Sequence, residues 1–273
     1  MSKEKDPRFD PFKVKMNKQS HVRKVVAVVS GKGGVGKSSV TGLLAVNTSE
    51  KGYFTGILDA DITGPSIGKM FGINDRAYGT EDGLIYPAVT EREIKIITSN
   101  MLLDEEDKAV MWRGLLINGA VKDFYSKVLW GDLDVLYIDM PPGTGDVPLT
   151  IYQSLPIDGI VLVTTPQDLV SMIVAKAIDM ANQMNVPILG IIENMSYMEC
   201  PCCNERIYPF GEGRVEEFAR KHGISVLAKL PIYAKLTQAA DDGMFEHLEY
   251  TGLAKAVDSI FRQLQLEESD ERI

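Results

Sequence analysis

Apolar residues along this chain fall in short continuous runs separated by mixed segments. "RKVVAVVS" (23–30), "YFTGILDAD" (53–61), "DVLYIDM" (134–140), "DGIVLVTT" (158–165), "PILGIIENM" (187–195) and "ISVLAKLPI" (224–232) are mostly rich in Val and Ile. Runs of this kind mark strands buried on both faces, the condition of a parallel sheet. Between several of them, amphipathic patterns over 37–51, 114–130, 168–184, 211–222 and 251–266 predict helices. The alternation predicts an α/β fold: a doubly wound, mostly parallel sheet flanked by helices. The segment 72–110 breaks the rhythm, and "GLIYPAV" and "IKIITS" within it predict a hairpin or edge pair. No long linker, low-complexity tract or repeat divides the chain. The predicted organisation is a flexible tail over 1–22, one domain over 23–266 and an acidic tail over 267–273.

Composition narrows the setting. Apolar residues make up 45% of 273, enough for one core. No run approaches about 18 apolar residues, so no membrane span is expected. The charged N-terminus lacks the apolar stretch of a secretory signal. These features predict a cytoplasmic protein, where thiols stay reduced. A net charge of −9 disfavours non-specific binding to nucleic acid or anionic membrane. Met172, Met180 and Met184 lie on a helical pattern and read as core filling, as do Trp112 and Trp130 near element ends. The last helical pattern places Leu253, Val257, Ile260, Phe261 and Leu264 on one face. Docking against the sheet is the expectation, because the acidic segment that follows would repel anionic lipid.

"VVSGKGGVGKSS" carries the first chemistry. Gly31, Gly36, Lys37 and Ser38 satisfy G-x-x-x-x-G-K-S between a predicted strand and a predicted helix. The loop, Gly31 through Ser39 with Gly33, Gly34 and Val35, turns backbone N–H groups around phosphate oxygens at a helix N-terminus. Lys37 is placed to reach the β- and γ-phosphates of ATP, and Ser38 to ligate Mg2+. The plain alternative is a glycine-rich turn with a surface lysine. A carboxylate is needed near the magnesium, at the end of a neighbouring strand. Asp139, Asp59 and Asp61 all close predicted strands; taken singly, each is equally well a cap or turn former.

Lys32, besides the expected Lys37, makes "SGKGGVGKS" resemble the deviant phosphate loop of the MinD, ParA and nitrogenase iron-protein superfamily. "DADITGPSI", "IDMPPGTGD", "ENMSYMECPCC", "FGEG" and "WRG" narrow the resemblance to the Mrp/ApbC family of iron–sulfur cluster carrier ATPases, over roughly residues 23–250. The resemblance implies a P-loop NTPase of the SIMIBI, MinD-like type. It implies that Lys32 crosses a homodimer interface to the partner's nucleotide, that Asp61 orients the attacking water, and that Asp139 supports Mg2+. It also implies that Asn194 contacts adenine and that Cys200 and Cys203 are the paired cysteines of C-P-x-C, with Cys202 at the variable position. Leu115, where relatives usually carry proline, and "GEGRV", without a further glycine, depart from the pattern. The chain is also expected to work without the four-cysteine N-terminal site of some eukaryotic relatives and the extra N-terminal domain of many bacterial ones.

Cys200, Cys202 and Cys203 are all the cysteines of the chain, and the histidines are His21, His222 and His247. A C-x-x-C turn aims two thiolates at one metal, whereas zinc and common iron–sulfur clusters usually take four ligands. A second copy across a two-fold axis completes the set. The expectation is a 4Fe–4S cluster between two copies, delivered to apo-proteins. Zinc in its place and a redox dithiol are the alternatives. Cys202, adjacent to Cys203, is expected to point elsewhere. Two further function classes compete: a positioning ATPase of the ParA or MinD type, and an electron donor resembling the nitrogenase iron protein.

Overall fold

The computed structural model describes residues 13–102, 114–167 and 172–266. The order along the chain is β1 (His21–Ser30), α1 (Lys37–Glu50), β2 (Thr55–Asp59), α2 (Ile67–Met70), β3 (Ala88–Val89), β4 (Lys95–Ile97), α3 (Gly114–Lys127), β5 (Asp132–Asp139), α4 (Asp146–Ser154), β6 (Gly159–Thr164), α5 (Met172–Gln183), β7 (Ile188–Glu199), β8 (Arg206–Ile207), α6 (Val215–His222), β9 (Val226–Pro231), α7 (Ala234–Asp241) and α8 (Ala254–Leu264). Among the described residues the strands form one nine-stranded sheet in the order β3-β4-β2-β5-β1-β6-β7-β8, with β9 also on β7. The pairings from β4 through β9 are parallel; β3 on β4 and β8 on β7 are antiparallel.

Both faces of the sheet are covered, which is why the strands read as continuous apolar runs. Val25, Ala27 and Val29 of β1 pack towards α3, α4, α5 and α6, while Val26 and Val28 pack towards α1 and α8. The apolar face of α8, with Val257, Ile260, Phe261 and Leu264, is buried in that second layer, as expected. Trp130 and Met180 are buried as core filling, and Met184 packs against the core from a partly exposed position. The interrupted segment supplies the expected edge pair, β3 and β4, and β4 extends the main sheet by pairing with β2. Trp112, Arg113, residues 103–111, 168–171 and the acidic tail lie outside the described residues, as does the side chain of Met172.

Two expectations change. The loose tail assigned to 1–22 is tied down from residue 13 onward. Lys13 donates through Nζ to the Tyr152 carbonyl and, at 2.9 Å, to that of Leu155. Asn17 donates to the carbonyls of Ser126 and Val128 at 3.0 and 2.8 Å. Both residues cap the ends of α4 and α3, where helix carbonyls lack partners. Val14 and Met16 add apolar contact with the core, but the segment is short and mixed in polarity, so hydropathy does not reveal it. Secondly, β7 continues past 195 to Glu199, because its last residues pair with the short antiparallel β8.

Candidate nucleotide site and cysteine hairpin

The phosphate loop leaves the C-terminal end of β1 and enters α1 at Lys37. Gly34 and Gly36 sit at φ +81° and +78°, a region that side chains with a Cβ avoid. Lys37 is buried, and its Nζ lies 2.7 Å from Asp139 Oδ1. Ser38 donates through Oγ to Asp139 Oδ2 at 2.6 Å, and Thr41 Oγ1 lies 2.9 Å from Oδ1. Three side chains of one helix turn therefore converge on a single carboxylate at the end of β5. A hydroxyl and a carboxylate oxygen this close form a hard oxygen pair of the kind Mg2+ takes beside nucleotide phosphates. The loop borders a cavity of about 310 Å³, lined among others by Lys32, Gly33, Ser39, Asp61 and Pro142.

The two aspartates of "DAD" separate by environment. Asp61 is half-buried on the cavity wall; burial raises its carboxyl above the usual range and Lys37 pulls it back. Asp59 is wholly buried, paired in register with Asp139. It accepts from the backbone N–H of Asp61 at 3.1 Å and from Thr98 Oγ1 at 3.2 Å. Its pKa rises from 3.8 to about 8, first through burial and then through Asp139. Between those values the folded protein keeps a proton that the unfolded chain has released, so this group's contribution to stability falls as pH rises. In the nucleotide-free protein, the melting temperature of Asp59→Asn is expected to gain on wild type steadily from pH 4.5 to pH 8. Parallel melting curves across that range would refute the protonated state.

Asn194, within β7, donates through Nδ2 to the Val35 carbonyl at 2.9 Å. A Cβ on Gly36 would lie 2.2 Å from the same nitrogen. The amide thus supports the phosphate loop from below, a contact the sequence does not announce. Thr41 and Thr98 are likewise missed by motif; only Thr41, one turn after Lys37, carries a spacing that points to the site.

The cysteines occupy the tip of a hairpin. Met198 and Glu199 of β7 pair with Ile207 and Arg206 of β8, and the Cys200 N–H donates to the Glu205 carbonyl at 2.9 Å. Cys200 is partly exposed, Cys202 and Cys203 are exposed, and all three are free thiols. The backbone N–H of Cys202, then that of Cys203, hydrogen-bonds the Cys200 sulfur and holds its thiol below the usual range. The neighbouring thiols of Cys203 and Cys202 add to the same lowering. Among the described residues, no group of three or more His, Cys, Asp or Glu side chains is placed to hold a metal. β1, β6 and β7 are parallel neighbours, so the phosphate loop and the hairpin leave the same edge of the sheet.

A family model described as ParA, NUBPL iron-transfer P-loop NTPase, matches residues 21–265. The chain belongs to this NUBPL family. It is 45% identical over 233 residues to an iron–sulfur cluster carrier protein of Clostridium perfringens, covering 83% of this chain and 82% of that one. A carrier of the same name from Methanocaldococcus jannaschii is 45% identical over 226 residues, covering 82% and 78%. Among solved structures, a nucleotide-binding protein in complex with ADP from Archaeoglobus fulgidus is 45% identical, with a TM-score of 0.75 over 84% of this chain and 90% of that one. The cell division ATPase MinD of Pyrococcus furiosus is 17% identical with a TM-score of 0.64, covering 88% and 99%, a likeness of fold. The NUBPL-family chain thus carries the P-loop NTPase fold that "SGKGGVGKS" implied.

Proposed function

We propose that this NUBPL-family chain is an ATP-hydrolysing carrier that holds a 4Fe–4S cluster between two copies of itself and delivers it to apo-proteins. The observation that carries the proposal is the shared edge: a phosphate loop with its Lys37–Asp139–Ser38 set, and a thiol pair on a hairpin, issue from strands two apart in one sheet. Lys37 would leave Asp139 for the β- and γ-phosphates, while Ser38 and Asp139 would hold Mg2+. The N–H groups of Gly33, Gly34, Val35 and Gly36 would face phosphate oxygens, Asp61 would orient water, and Asn194 would add an adenine contact to its hold on the loop.

The thiols fit half a cluster site. Cys200 and Cys203 on one tight turn supply two soft ligands, and the chain has no cysteine outside this loop. Two copies supply four, as a 4Fe–4S cluster requires. Such chemistry needs a reducing compartment such as the cytoplasm. Anaerobic reconstitution with iron and sulfide tests the proposal, and about four irons per dimer are expected. Iron held stoichiometrically by a monomer, or zinc that iron and sulfide do not displace, would overturn it.

Lys32 is exposed on the cavity rim. If it serves the partner's nucleotide, Lys32→Ala is expected to bind ATP within a few-fold of wild type yet lose hydrolysis. Mixing it with Asp61→Ala should restore one competent site per heterodimer. Hydrolysis by Lys32→Ala at the wild-type rate would exclude a role in trans.

A further inference from the structure

One strand joins the nucleotide loop to the cysteine hairpin, and it does so through an irregularity. β7 pairs with β9 at Glu193↔Lys229 and again at Tyr197↔Pro231. Between those pairs β7 advances four residues and β9 two, so Asn194, Met195 and Ser196 form a bulge. Met195 lies in the left-handed region at φ +55°, a strained conformation for a residue with a Cβ. The bulge faces the phosphate loop through Asn194, which holds the Val35 carbonyl at 2.9 Å. Its other end runs directly into Met198 and Glu199, the first arm of the hairpin.

A buried carboxyl closes the bulge. Glu193 has no exposed surface, and its Oε1 accepts from Ser196 Oγ at 2.6 Å. Oε2 is buried without a hydrogen-bond partner among the described residues. Lys229 Nζ stays 3.9 Å from Oε1 and lies 2.5 Å from Glu216 instead. Gly213 of "FGEG" packs against the carboxyl so closely that a Cβ there would lie 2.2 Å from Oε2. Burial raises the Glu193 carboxyl above its usual range, with Ser196 and Lys229 pulling it back. A buried acceptor left unmet is costly, and such costs concentrate where a structure has a second arrangement available. Rotation of the carboxyl to satisfy Oε2 would release Ser196 and let the bulge relax.

We propose that the Glu193–Ser196 hydrogen bond positions the β7 bulge so that the phosphate loop sets the conformation, and with it the thiol reactivity, of the cysteine hairpin. The two-state element is the bulge, biased from one side by the loop carbonyl that Asn194 holds. The proposal rests on the carrier function only in taking the cysteines as the working end.

The test uses reduced, iron-free full-length protein and follows alkylation of Cys200 and Cys203 by iodoacetamide, with and without Mg2+ and a non-hydrolysable ATP analogue. Wild type is expected to show about a fivefold nucleotide-dependent change in rate, the lower end of ordinary coupling between sites. Ser196→Ala should bind the analogue with nearly unchanged affinity and lose that dependence. Glu193→Met, which replaces the carboxyl by an apolar side chain of similar size, should fold and lose it as well, whereas Glu193→Gln, which keeps an acceptor, should retain it. Undiminished dependence in Ser196→Ala or in Glu193→Met would overturn the proposal, as would wild-type thiols indifferent to nucleotide. Iron retention after reconstitution, measured separately, reports on the carrier function alone.

Discussion

Lys37→Ala is expected to lower ATP turnover by at least about a hundredfold, the usual loss when one donor to developing charge is removed from a water-poor site. The wild-type rate should itself be slow, on the order of 10⁻⁴ to 10⁻² per second, as in phosphate-loop enzymes without an efficient stabilising cation. The nucleotide-free structure adds a second consequence. Lys37 is buried against Asp139, whose oxygens are otherwise met by Ser38 and Thr41. Removing one partner of a buried ion pair leaves the other charge uncompensated, at a cost of roughly 3–5 kcal/mol. Lys37→Ala should therefore also melt lower, and turnover must be read well below its transition. A folded variant that hydrolyses ATP at the wild-type rate would refute the role of Lys37.

Cys200→Ser and Cys203→Ser are each expected to abolish iron retention after anaerobic reconstitution. A hydroxyl is a poor ligand for soft metal, and losing one thiolate per chain halves the set available to a dimer. Cys202→Ser should keep iron, though less firmly than wild type, because the side chain next to Cys203 tunes the surroundings of the ligands. Dilution to monomer should release the iron from wild type, since neither copy completes the coordination. Dependence on Cys202 rather than Cys200 would overturn the ligand assignment. Iron counted against protein, with sedimentation of the same samples, checks all of these outcomes.

Much of the architecture is legible in the chain. Uninterrupted Val and Ile runs require cover on both faces, and intervening amphipathic segments provide it; in the sheet, neighbouring β1 residues do face opposite helical layers. What hydropathy misses is held by polar contacts or by short elements. α2, α4 and α7 lie outside every amphipathic pattern read from the chain, α2 because it is a single turn, and residues 13–20 dock largely through hydrogen bonds to helix ends. The phosphate loop was readable for a local reason: glycines at positive φ beside a lysine and a serine are a constraint on adjacent residues, visible without distant contacts.

The chain by itself determined the order of the main strands and longer helices, the phosphate loop and the placing of the cysteines on one turn, because each depends on residues close in sequence. Only the tertiary structure separated the environments of the aspartates. Asp59 and Asp61 are two residues apart and alike in type, yet β2 ends at Asp59, which is buried beside Asp139, while Asp61 lies past the strand on the cavity wall. It also decided that Asn194 supports the loop, and that Glu193 and Gly213 close a bulge ahead of the cysteines. These contacts join positions as much as 159 residues apart, and no local pattern encodes a distance that only the packing of β1 near β7 creates.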